Sequence, residues 1–189
     1  SFAHLTPDGI AVLNGDDDKL CDKKVVNGKP AVFYGIEKAA KVAETEEGQK
    51  TLAEKTVYAT NVEAVGLTGT KAAIHYPSRE TGGEMTMEVT IPIAGEHNVY
   101  NALAAIAVSL ENGISMDAIR VGLAHFTGTN RRFEKKGEVN GFTIIDDYAH
   151  HPHEIEATLK TAQNYPHKTL WCIFQPHTYT RTKAFLPQF

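Results

Sequence analysis

The stretch FTIIDDYAHHPHEIEATLKTAQNYPHKTLWCIFQPHTYTRT, Phe142 to Thr182, decides the fold. Phe142 to Asp146 reads as a strand, and Asp147 to His151 as the loop that leaves it. Pro152 stands where a first helical residue belongs, because its missing N–H would go unbonded there in any case. Ile155, Leu159 and Ala162 give the following helix its apolar face. Thr169 to Phe174 reads as the next strand, and Gln175 to Thr178 as the next loop. A βαβ unit of this length predicts a parallel pair joined by a right-handed crossover. Both loops would then leave the carboxyl ends of neighbouring strands, where open α/β sheets bind ligands, so their polar side chains are expected to converge.

Towards the N-terminus the pattern is helical. Val99, Ala102, Leu103, Ile106, Ala107 and Leu110 form one apolar stripe, which Gly113 ends. Ser115 is a good N-cap for a second helix with Ile119, Leu123 and Phe126 on its buried face. Gly128-Thr129-Asn130 breaks that helix, and a domain boundary is expected there, with one unit at 1–129 and another at 130–189. Before the helices the chain reads as β. Val57 to Val65 is rich in β-branched residues, Gly66 to Gly69 supplies a turn, and Lys71 to Tyr76 runs back. After a loop at Ser78 to Gly83, Met85, Met87, Val89, Ile91 and Ile93 alternate with other residues, the period of a half-buried antiparallel strand. Pro92 cannot donate to a ladder and marks an edge. Gly66 to Lys71 lacks the G-x-x-x-x-G-K-[ST] spacing of a phosphate loop, and a hairpin turn is the better reading. Gly9 to Leu13 and Ala31 to Tyr34 are short strands, the first running into a polar turn at Asn14 to Asp18. Glu37 to Lys55 is polar and ambiguous. The fold class expected is α/β: an incomplete ATPase-type domain with an antiparallel β segment and helices, then part of a Rossmann-like parallel-sheet domain.

Composition excludes several classes. The chain has 189 residues, 42% hydrophobic and 22% charged, which argues against wholesale disorder. Its longest apolar run, Ala102 to Val108, falls far short of the roughly 20 residues that cross a bilayer. A net charge of −4, with no basic cluster, gives no field to gather nucleic acid. The start lacks a secretion signal, and two cysteines, Cys21 and Cys172, make no disulfide framework. A reducing cytoplasm is the simplest setting.

Four segments concentrate chemistry. Asp146 to Glu154 puts two aspartates and three imidazoles at a strand-to-helix junction, beside free N–H groups that favour an anion. Helix capping with exposed polar residues is the plainer alternative, and His153 and Glu154, on the helix itself, read as structural. Phe174 to Thr182 offers His177, several hydroxyls and Arg181, a guanidinium able to clamp a carboxylate or phosphate; the alternative is an ordinary surface loop. His97 to Asn101 opens a helix. Asn98 and Asn101 sit about 60° apart around it, off the apolar stripe, with amides that donate and accept at once. Arg131 and Arg132 lie at the domain junction, a common place for nucleotide contacts.

Quoted in order, GEHNVYNALAAIAV (95–108), FTGTNRRFE (126–134), IIDDYAHHPHEI (144–155) and FQPHTYTRT (174–182) resemble the Mur ligase family, which builds the peptide stem of peptidoglycan by ATP-dependent amide formation. The likeness is strongest from Gly95 onward and is closest to the member that adds L-alanine to UDP-N-acetylmuramate. A recycling relative that attaches a ready-made tripeptide is the near alternative. The resemblance implies that Asn98 and Asn101 face ATP near the adenine, that Arg132 lies near nucleotide, and that Asp147 holds the ribose hydroxyls. It implies that Tyr148, His150, His177 and Arg181 line the pocket for the amino acid and the activated carboxylate. Arg132 and His150 are the pair expected to act in catalysis. Many relatives carry arginine where this chain has Thr178, so a contact from a second guanidinium is not carried over.

The family chemistry makes an acyl phosphate from the sugar-linked carboxylate and the γ-phosphoryl group of ATP, with Mg2+ and cationic side chains offsetting the charge. The amine of L-alanine then displaces phosphate. The family's phosphate loop, its magnesium-binding glutamate and its UDP-binding domain are expected ahead of Ser1, so Mg2+ ligands are expected mostly outside this chain and none is assigned within it. The 189-residue chain alone is therefore expected not to turn over ATP. Its cut sheet edges are expected to favour self-association. Paired aspartates beside paired histidines also suit a dinuclear metal phosphoesterase, but that class leaves the asparagine helix and the FQPH loop unexplained.

Overall fold

In the computed structural model, which describes residues 5–17, 19–21, 23–36, 56–66, 69–79 and 81–189, the main sheet is built around β5 (Thr56–Ala64) and β6 (Thr70–Pro77). These strands pair antiparallel, and the Val65 N–H donates to the Gly69 carbonyl at 2.8 Å across their turn. Leu67 and Thr68 of that turn, and the ambiguous segment 37–55, lie outside the described residues. A register shift between Thr60 and Glu63, with Asn61 at φ 51, bulges β5.

On the far side β6 pairs antiparallel with β7 (Glu84–Ile91), the sheet's edge strand, as Pro92 predicts. On the near side β4 (Val32–Gly35) runs parallel to β5, and β1 (Val12–Asn14) parallel to β4. The order β1-β4-β5-β6-β7 is therefore mixed. A small antiparallel pair, β2 (Val25–Val26) with β3 (Lys29–Pro30), covers a minor cluster of Ala11, Leu13, Val26 and Ala31. The alternation expected of β7 holds only at its C-terminal half: Val89 and Ile91 are buried, whereas Met85 is exposed.

Helix α1 (Glu96–Glu111) lies across β1, β4 and β5, and α2 (Met116–Ala124) lies against β7. The stripe read from the sequence is the buried face of α1, with Val99, Leu103, Ile106 and Ala107 fully enclosed against Val57, Ala72 and Ile74. Burying side chains of this size contributes about 1.5–3 kcal/mol each, which makes this layer the main stabilising element. Ser115 caps α2 through its hydroxyl, which accepts from the Ala118 N–H at 3.3 Å. Phe126, expected on the buried face of α2, instead lies beyond its end and is exposed.

The second half departs from expectation. Phe142–Asp146 is a strand, β9, but it pairs antiparallel with β8 (Glu134–Val139), which the sequence reading passed over. The turn between them is Asn140-Gly141, with φ values of 51 and 81, the left-handed pair that a two-residue hairpin requires. Thr169–Phe174 forms no strand and no parallel pair with β9. A local hairpin closes a two-residue loop, whereas the crossover must close a far longer one before any pairing rewards that ordering. Trp171 and Ile173 are consequently 79% and 98% exposed. Helix α3 (Pro152–Gln163) begins at Pro152, as read, with Ile155, Leu159 and Ala162 only half-buried. The loop Gln175 to Thr178 leads into a short helix, α4 (Tyr179–Phe185), followed by a 3-10 turn at Leu186–Gln188.

Candidate functional site

Asp147 holds the entry of the second half, residues 131–149. Its Oδ2 accepts the Phe133 N–H at 2.8 Å and its Oδ1 accepts the Ala149 N–H at 2.7 Å. Arg131 and Phe133 both adopt left-handed backbone, φ 59 and 48, in the turn that this carboxylate holds. The Tyr148 N–H donates to the Arg131 carbonyl at 2.7 Å, tying the loop after β9 to the same turn. The Arg131 guanidinium stacks over the Tyr148 ring at 4.8 Å, and its Nε lies 3.4 Å from Asp146 Oδ2.

Tyr148, His150 and His177 come together, although the parallel strand pair from which their convergence was expected does not form. The rings of Tyr148 and His150 meet edge-on at 5.2 Å, and those of His150 and His177 lie 6.2 Å apart. His150 Nδ1 is 2.9 Å from the Tyr148 carbonyl. A carbonyl only accepts, so Nδ1 carries the hydrogen of this bond. Arg181 is half-buried on α4 and is not brought into bonding contact with these three rings. His151 is the N-cap of α3, accepting the His153 N–H at 3.3 Å, and its ring packs edge-on against Phe185. Glu154 completes the capping box, its Oε2 accepting the N–H groups of His150 and His151 at 3.1 and 3.3 Å. Burial alone would raise the Glu154 carboxyl; those two amides and the positive charge of His150 and Arg132 hold it below the usual carboxylate range.

The asparagine pair needs correcting. Asn98 is not off the stripe but buried at the helix start, donating to the Ala94 carbonyl at 2.7 Å and accepting from Asn101 Nδ2 at 3.3 Å. Only Asn101, which is exposed, presents its amide oxygen outward. The role of Asn98 is thus to orient Asn101 and tie α1 to its own entry. Next to it, Gly95 sits at φ 101, and a Cβ there would meet His97 Cε1 at 2.7 Å and Thr161 Oγ1 at 2.8 Å. Glycine is therefore what lets α3 approach the start of α1.

His97, within the segment singled out at this helix start but given no role there, stands in this approach. Burial lowers its pKa and the Arg132 charge lowers it further, against the opposing pull of Asp147 and Glu96, which favours the neutral imidazole. These through-space effects put Arg132 and Asp147 in one electrostatic neighbourhood with the start of α1. A cleft of about 530 Å³ opens between the helices, lined by Gly95, His97 and Tyr100 on one side and His153, Lys160 and Thr161 on the other. None of the eight residues expected in the site lines this cleft; they lie around the junction beside it. The signal that could have found His97 is its place two residues after a glycine at a helix start. Arg131, named with Arg132 at the junction, is the one of the two that the structure pairs with Asp146 and Tyr148. Among the described residues, no group of three or more His, Cys, Asp or Glu side chains is arranged to hold a metal ion, the geometry that the phosphoesterase alternative needs.

Comparison with known proteins gives matches along both halves. Residues 2–109 match the Mur ligase middle domain, and residues 131–189 match the Mur ligase glutamate ligase domain. The UDP-N-acetylmuramate–L-alanine ligase of Lachnospira eligens is 56% identical over 107 residues, which cover 57% of this chain and 23% of that protein. The protein of the same description from Caldanaerobacter subterraneus subsp. tengcongensis is 41% identical over 191 aligned residues, covering 100% of this chain and 37% of its own length. Among solved structures, the UDP-N-acetylmuramate-alanine ligase of Thermotoga maritima superposes with a TM-score of 0.57 at 26% identity, over 82% of this chain and 30% of that one. The chain thus spans between 23% and 37% of the length of these two curated relatives.

Proposed function

The chain belongs to the Mur ligase family, and from that premise we propose that it carries part of the ATP site and the acceptor pocket of a ligase joining L-alanine to UDP-N-acetylmuramate. The observation that carries this reading is the 41% identity to an L-alanine-adding ligase along the whole chain. The convergence of Tyr148, His150 and His177 supports it from the side of chemistry. We divide the chain at 129/130, so that Asn101 and His97 come from one domain and Asp147 to His177 from the other. A site shared by two domains suits a reaction that depends mostly on positioning.

The donors present fit a nucleoside triphosphate. Asn101 offers an outward amide for a purine edge, and the Asp147 carboxylate keeps two of its four lone-pair directions for ribose hydroxyls. Exposed Arg132 supplies a guanidinium for phosphate. ATP, with Mg2+, supplies the phosphoryl group that turns the muramyl carboxylate into an acyl phosphate. Arg132 then offsets the charge that accumulates as phosphate departs. In its neutral form His150 accepts at Nε2 one proton from the α-ammonium of L-alanine. The amine adds to the acyl carbon, and the tetrahedral intermediate expels phosphate, which carries off the second amine proton as the amide forms. ATP and a nucleotide-linked sugar are cytoplasmic metabolites, and that compartment belongs to the proposal; among the described residues no helix is long and apolar enough to cross a membrane.

The test is ADP release by a full-length polypeptide carrying this sequence, given UDP-N-acetylmuramate and Mg2+ with either L-alanine or the muramyl tripeptide. Turnover with L-alanine alone is expected. Turnover only with the tripeptide would make this the recycling ligase, and turnover with neither would overturn the substrate assignment.

A further inference from the structure

We infer that Arg131 is a positioning residue for the acceptor pocket: it aims the Tyr148 ring, and through that ring His150, toward His177. The inference rests on the pocket role proposed above for Tyr148, His150 and His177. Three separate contacts from one residue grip the Asp146–Tyr148 loop. The guanidinium lies over the Tyr148 ring at 4.8 Å, Nε pairs with Asp146 at 3.4 Å, and the carbonyl takes the Tyr148 N–H at 2.7 Å. An exposed ion pair alone would contribute little. Here the pair sets the rotation of a flat cation against a flat ring, and the ring passes that orientation on. Tyr148 touches His150 edge-on at 5.2 Å, its carbonyl fixes the His150 tautomer at 2.9 Å, and His150 faces His177 at 6.2 Å. The left-handed φ of 59 at Arg131 is what turns its side chain back over the loop that its own carbonyl binds.

Arginine is required by this geometry and lysine is not equivalent, because an ammonium can pair with Asp146 but has no planar face for the ring. The residue touches neither substrate nor ATP in this account. Its removal should therefore affect the amino acid that Tyr148 and His150 meet, and spare the nucleotide.

Steady-state kinetics on the full-length polypeptide, with R131M, R131K, Y148L and the double variant R131M/Y148L, test this. R131M is expected to raise KM for L-alanine by roughly two- to fivefold, the range an exposed cation–π contact implies, while KM for ATP stays unchanged. R131K should lie between the parent and R131M. In the Y148L background, R131M should add less than about twofold, because Arg131 acts through that ring. An unchanged L-alanine KM in R131M overturns the inference, as do equal rises in both KM values or additive effects in the double variant. Should R131M not fold, an unchanged L-alanine KM in R131K overturns it instead. An unaltered protein inactive with L-alanine refutes the proposed function and the Arg131 role together, whereas an active one with unaffected variants refutes the Arg131 role alone.

Discussion

Asp147 accepts two backbone N–H groups, from Phe133 and Ala149, one on each carboxylate oxygen. Asp147→Asn keeps the shape but must turn an NH2 group toward one of those donors. A loss of about 1–3 kcal/mol is expected, read from urea unfolding at neutral pH. A variant as stable as the parent would show that the carboxylate does not hold the entry of the second half. Tyr58 illustrates a second residue-scale effect far from the site. It is 9% exposed, stacks on His75 at 4.5 Å and donates to Glu84 at 3.0 Å. Burial, then the bond to Glu84 and that residue's charge, push its pKa up to about 12. The folded state therefore holds this proton more tightly than the unfolded chain, whose tyrosines titrate near about 10. The stabilisation is fully present below about pH 10 and is lost as pH rises through the folded value of about 12. Comparing Tyr58→Phe with the parent in urea at about pH 9 and about pH 11.5 should show the parent's advantage shrinking with pH. Parallel curves would refute it. At this scale the segments that hold Arg132, Asp147 and the three rings were legible as clusters of polar side chains, whereas their separate roles came from the family resemblance alone. The burial of Asn98 was not, because the turn that carries Ala94's carbonyl into reach is a backbone feature.

At the scale of elements, helix starts and stops were the most legible features, because proline, serine and glycine act through their own backbone preferences. The start of α3 shows this: Pro152 in the first turn, His151 as cap and Glu154 closing the box. Glu154→Gln tests that cap. Because the folded carboxyl is held below its ordinary value, the charged form's contribution is present above the unfolded pKa near about 4.3 and is lost as pH falls through the folded value. The parent should exceed Glu154→Gln by about 0.5–1 kcal/mol at pH 7, a capping-box magnitude, and the gap should close on acidification. A gap independent of pH would rule out the carboxylate's charge as its source. Strand pairing was less legible. Thr169–Phe174 has the composition of a strand, yet composition states only that a segment would pair well, not that a neighbour is in reach. Asn140-Gly141 carried the stronger local signal, and β8 follows from it.

For the molecule as a whole, the described residues of the two halves meet where Thr161 packs against Gly95 and at Tyr165. The Tyr165 hydroxyl donates to the Gly66 carbonyl at 3.0 Å, and its ring stacks on Phe133 at 5.7 Å. Tyr165→Phe keeps the stack and removes the bond, so a loss of about 0.5–1.5 kcal/mol is expected in urea unfolding, with faster hydrogen exchange at the Val65 amide. Unaltered exchange there would mean that the tie does not join the halves. The sequence by itself determined the family, the mixed α/β character, the buried stripe of α1 and the segments that carry chemistry, because periodicity, caps and motif order are written along the chain. Only the tertiary structure decided that β9 pairs back onto β8, that Asn98 turns inward, and that His97 and Arg131 join the site. Those outcomes depend on which groups come within a few ångströms across the junction, and such distances are fixed by the packing of α3 onto α1 rather than by any local preference.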